Sequence, residues 1–128
     1  MGKARLIALV LLLAAAGLVF DLRYEHAGAV ESHKWAALPP MFCISLWCFG
    51  LPTWLCWHTG GRQALFWIFT LCFAVAAFGL WLHSRGDPIG AMTTVLKAQG
   101  IPDGPPPLAP GMFALIGLIG CICTWKKE

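Results

Sequence analysis

The chain has 128 residues, 59% of them hydrophobic and 12% charged, with a formal net charge of +3. Soluble domains carry about a quarter charged residues and a little under half apolar ones, so the composition speaks against an ordinary soluble fold. The length leaves room for one domain without a separate catalytic unit. No basic block with interleaved aromatics occurs, which argues against nucleic acid as a partner.

The first apolar run is Leu6–Phe20, flanked by Lys3 and Arg5 before it and Asp21 after it. Fifteen residues of helix span about 22 Å, less than the roughly 30 Å hydrocarbon core of a bilayer. Snorkelling of Lys3 and Arg5, with Leu22 and Tyr24 beyond, extends the span to about residues 5–23. A cleaved signal peptide is the rival reading, since a basic start is followed by an apolar stretch and the small residues Ala14, Ala15 and Ala16. The polar segment from Asp21 to Lys34 reads as a loop.

The second run, Trp35–Trp57, contains no charge. It reads as a span over residues 37–57 that starts near Pro39 or Pro40, where the missing N–H is harmless. Gly50 and Pro52 should kink or loosen it. The segment His58–Gln63 with its Gly60-Gly61 pair reads as a tight turn. The third run gives a span over residues 64–83, ending at His83. The fourth gives a span over 108–125, with Pro110 in its first turn.

Between the third and fourth runs, Asp87-Pro88 has the look of a helix start. Ile89, Met92, Val95 and Leu96 fall on one helical face, so a short interfacial helix is expected over residues 88–99. The proline-rich stretch 101–107 should be stiff and extended. The expected fold is therefore all-α. It is a polytopic membrane protein, a four-transmembrane-helix bundle with a short interfacial helix in the third connection, forming a single domain over residues 1–128.

The tryptophans fit this layout. Trp and Tyr favour membrane interfaces. Tyr24, Trp35 and Trp81 fall at one set of span ends, and Trp54, Trp57, Trp67 and Trp125 at the other. Trp47 alone falls near mid-span. Lys and Arg divide five to four between the two sides. The N-terminal pair sets the orientation, so both termini are expected in the cytoplasm, and a bacterial inner membrane is the expected compartment.

Gly117, Gly120, Cys121 and Thr124 recur at helical spacing and form a stripe of small residues, the kind that lets membrane helices approach closely. Cys72, Ala76 and Gly79 make a shorter one. Either stripe packs within the chain or against another subunit, with packing within the chain as the default. The six cysteines all lie inside apolar runs and read as packing residues.

His26, His33 and His83 cluster at the outer side in this layout. Imidazole beside carboxylate suits zinc or copper, but no recognised ligand spacing is present, and interfacial polar residues pairing with each other is the preferred reading. The centres of the spans lack any ionisable residue. A mid-membrane carboxylate of the kind that proton-coupled exporters use is absent, as are a Cys-x-x-Cys pair and span-centre histidines for haem. The expected function is non-catalytic: an accessory, assembly or stabilising subunit held by the lipid bilayer and by a membrane-protein partner or a second copy of itself. Copper or zinc handling through the three histidines is one alternative. A small oligomeric transporter or channel using Ser45, Thr53, Thr70, Thr124 and the backbone near Pro52 is another, and an enzyme acting on a lipid or quinone is a third.

Overall fold

The computed structural model describes the backbone of residues 2–32, 38–83 and 108–125, and the side chains of 2–20, 41–81 and 110–125. Among these residues the protein is entirely helical, with no strand. Four α-helices occur: α1 (Lys3–Ser32), α2 (Leu38–Leu55), α3 (Gly61–His83) and α4 (Leu108–Trp125), with one 3-10 turn at Trp57–Thr59. The expected interfacial helix over 88–99 and the proline-rich stretch lie outside the described residues.

The last three helices begin where the chain permits. Pro39 and Pro40 occupy the first turn of α2, and Pro110 that of α4, positions where a missing N–H costs nothing. Pro52 sits inside α2, three residues before its end. The helix runs through it and stops within the next turn.

Two boundaries differ from the sequence expectation. Helix α1 does not end near residue 23 but continues to Ser32 as a single 30-residue helix, about 45 Å long. The fall in hydropathy after Phe20 marks the end of an apolar stretch, not of a helix. Residues 21–32 contain no proline, and Leu22, Arg23, Glu25, Ala27 and Ala29 are adequate helix formers. Helix α3 begins at Gly61 rather than at residue 64.

The second difference follows from the turn. Among the described glycines, Gly60 alone takes the left-handed conformation, at φ +99°. The Cys56 carbonyl accepts from the Thr59 N–H at 3.0 Å, the Gly61 N–H at 2.9 Å and the Thr59 hydroxyl at 3.1 Å. Gly60 O then accepts from Ala64 N–H at 3.1 Å and starts α3. Gly61 is inside the new helix. A Cβ there would overlap the carbonyl oxygens of Thr53 and Cys56. The two glycines thus do different jobs: one supplies a backbone angle, the other a bare backbone.

Each helix packs against its neighbours in sequence, and α1 closes the ring on α4. The core is made of Ala8, Leu12 and Ala15 from α1, Cys43 and Leu46 from α2, Leu65, Phe69, Cys72 and Ala76 from α3, and Phe113 and Ile116 from α4. Trp57 in the turn is also buried. Many other large apolar residues are on the outside. Leu6, Val10, Leu13 and Phe20 of α1 are exposed, as are Phe49 and Leu55 of α2, Leu71 and Phe78 of α3, and Leu115 and Ile122 of α4. The stretches Lys3–Phe20 and Gly61–Trp81 are long and apolar enough to cross a membrane, and only 22% of each is buried inside the molecule. Helices α2 and α4 carry the shorter apolar stretches Met41–Leu55 and Pro110–Trp125.

Replacing Gly60 by alanine should cost about 1–2 kcal/mol, the penalty of a left-handed residue with a Cβ. Replacing Gly61 by alanine should cost more, because the backbone of the turn has to open. Thermal unfolding of the purified protein in detergent, followed by circular dichroism, checks the order of the two.

Candidate functional site

Two seams hold the helices together. The first joins α1 to α2. The Trp47 indole Nε1–H donates to Leu12 O at 2.8 Å, and the Trp54 Nε1–H donates to Arg5 O at 2.8 Å. Donors and acceptors are each seven residues apart, and they run in opposite directions along the two helices. Seven residues is two turns, so both indoles leave the same face of an antiparallel pair. Each carbonyl sits within a helix, where its second lone pair is available. Between them, Gly50 faces Leu12, whose Cδ2 lies 2.6 Å from where a glycine-to-alanine Cβ would be. At the end of this seam the Arg5 guanidinium stacks over the Trp54 ring, 4.6 Å from its centroid.

The second seam joins α3 to α4. Gly117 lies against the backbone of Phe73, with a hypothetical Cβ 2.5 Å from Phe73 N and 2.7 Å from its Cα. Gly120 lies against the Phe69 ring. The Cys121 thiol is 3.3 Å from the Thr70 hydroxyl and 4.0 Å from Phe66 O. Thr124 is buried, and its hydroxyl donates back to Gly120 O at 2.7 Å. From the α3 side, the Cys72 thiol donates to Phe113 O at 3.7 Å, Ala76 is buried and Gly79 faces Pro110. Both small-residue stripes therefore face into this seam.

The hydroxyls are all turned homeward. Among the described side chains, Ser45 donates to Met41 O at 2.9 Å, Thr53 to Phe49 O at 2.6 Å, Thr70 to Phe66 O at 2.8 Å, and Thr124 to Gly120 O. Each returns to the carbonyl four residues earlier, a common solution for hydroxyls on helices. Five of the six cysteines are likewise on helices, with Cys56 in the turn, and all six are free thiols.

The metal alternative of the sequence falls on His26, His33 and His83. His33 and the side chains of His26 and His83 lie outside the described residues. The continuation of α1 does change the geometry available to His26. The positions one turn away on that helix are Leu22, Arg23, Ala29 and Val30, none of them a first-choice zinc or copper ligand. Among the described residues no group of three metal-ligating side chains occurs.

Trp47, Trp54 and Arg5 were not singled out by their spacing in the sequence. Trp47 had the visible signal of being out of place in the aromatic belts, and its seven-residue interval to Trp54 repeats that of a helix face. Nothing local could identify the carbonyls they reach.

Compared with models of known protein families, with curated proteins and with solved structures, the chain matches none of them.

Replacing Trp47 by phenylalanine keeps the ring and removes the donor. It should lower stability by about 1 kcal/mol, the usual worth of one such hydrogen bond. Replacing Gly117 by valine should cost about 2–3 kcal/mol, because the α3 backbone has to move away. Denaturant titration in mixed micelles measures both.

Proposed function

We propose that the protein is a multi-pass membrane protein whose four described helices each cross the bilayer, and that it serves as a non-catalytic subunit of a larger membrane assembly. The observation that carries the membrane reading is the outward direction of its large apolar side chains. A soluble core helix hides such residues, whereas here they cover the outside of all four helices, and hydrocarbon is the solvent in which that exposure is stable. Helices α2 and α4, at 18 residues each, are about 27 Å long, within the range of membrane spans. The N-terminal stretch contributes Ala8, Leu12 and Ala15 to the core and two backbone acceptors to the α1–α2 seam. That supports its retention as a working helix. The basic flank at Lys3 and Arg5 supports a cytoplasmic placement of both termini.

The turned-in hydroxyls support the subunit reading over a transporter. A permeation path through a bundle needs polar atoms aimed at the passing solute. Ser45, Thr53, Thr70 and Thr124 instead bond their own helices. With Gly117 and Gly120 engaged inside the chain, a partner would meet the outer faces. There Ala14 and Gly17 of α1, and Ala74 and Ala77 of α3, are small and exposed, leaving room for a neighbouring helix to approach.

Alkaline carbonate should leave the protein in the membrane pellet while detergent releases it; release by carbonate would overturn the membrane reading. Solubilised mildly at native abundance, it should migrate on native gels well above its own mass, with a reproducible partner identified by mass spectrometry. Migration alone would overturn the subunit reading. Solute flux above that of empty liposomes would favour the transporter.

A further inference from the structure

We infer that the Arg5–Trp54 end of the bundle is a binding site for the phosphate of an anionic phospholipid. The inference rests on the membrane reading above and adds a ligand to it. Three observations meet at this end. The Arg5 guanidinium is fixed in place, stacked 4.6 Å over Trp54, while the same indole donates to the Arg5 carbonyl. One tryptophan thus holds both the side chain and the backbone of one arginine. The Arg5 Nε–H is buried and has no hydrogen-bond acceptor in the protein. A guanidinium presents its donors as a planar fork that matches a phosphate, and here the Nε–H of that fork is left without a partner.

Charge distribution agrees. Among the described side chains the charged residues are Lys3, Arg5 and Arg62, with no carboxylate. Lys3 and Arg5 begin α1, and Arg62 follows the turn that leads out of the Trp54 end of α2. That local excess of positive charge makes this end attractive to anionic headgroups. A lipid has a second requirement, an apolar surface running away from the headgroup. Leu6 and Leu55, next in sequence to Arg5 and Trp54, are both exposed, as is Val10 one turn further along α1. Acyl chains fit that surface; a free anion would gain nothing from it.

The test is native mass spectrometry of the purified protein released from nanodiscs of phosphatidylcholine containing about one-fifth phosphatidylglycerol. Retained lipid should be enriched in phosphatidylglycerol about fivefold over the bulk mixture, as expected for one well-placed basic contact. Arg5→Gln should bring the ratio back to that of the bulk, whereas Arg62→Gln should leave most of the enrichment. Arg5→Lys keeps the charge but not the fork, and should lose at least half of the enrichment. Inorganic phosphate at millimolar concentration should not displace the lipid. Equal retention of the two lipids by the natural protein would overturn the site without needing any variant to fold. So would unchanged enrichment in either Arg5 variant, or displacement by inorganic phosphate. Carbonate release tests the membrane reading separately: a protein that stays in the pellet yet shows no lipid preference loses only this site.

Discussion

Among the described residues, the buried polar side-chain atoms of these helices find their partners within the chain, the Arg5 Nε–H excepted, because the outward faces offer mostly hydrocarbon side chains. That constraint organises the rest. The hydroxyls of Ser45, Thr53, Thr70 and Thr124 fold back on their own helices. The indoles of Trp47 and Trp54 reach the carbonyls of a neighbouring helix. The thiols of Cys72 and Cys121 do the same more weakly across the α3–α4 seam. Close packing and these few polar contacts set how the helices meet. That is why glycine at 117 and 120 matters more than any large side chain on α4.

Much of this architecture is written in the apolar runs. The limits of α4 follow from a run bounded by prolines on one side and lysines on the other, and the start of α2 follows from Pro39-Pro40. The helix nature of all four runs follows from their length without charge. The far half of α1 was not legible in the same way. Hydropathy reports where a helix is compatible with lipid, and the chain beyond Phe20 stays helical for a different reason: nothing in it breaks a helix. The Gly60-Gly61 pair was legible as a turn but not in its division of labour, because the demand on Gly61 comes from Thr53 and Cys56 carbonyls positioned by the preceding helix.

The seams were legible to unequal degrees. Small residues at helical spacing announce a close approach, and Gly117 and Gly120 do approach α3. The tryptophans announce only a preference for an interface. Trp54 clasps Arg5, a residue 49 positions away, and local pattern holds no record of such a pairing. The basic flank at Lys3 and Arg5 reads as an orientation signal, yet one member of the pair is also a fixed part of the packing.

The short turn between α2 and α3 has a consequence for how the chain assembles. Residues 56–60 join α2 and α3 through a turn whose backbone bonds are made locally. Residues 84–107 separate α3 from α4, the pair with the closest backbone approach. Closing the longer connection costs about 1.4 kcal/mol more in chain entropy than closing the shorter one, taking the logarithmic dependence on length. Of the two, the seam with the closest backbone approach among the described residues, at Gly117 and Phe73, is the one formed across the longer connection.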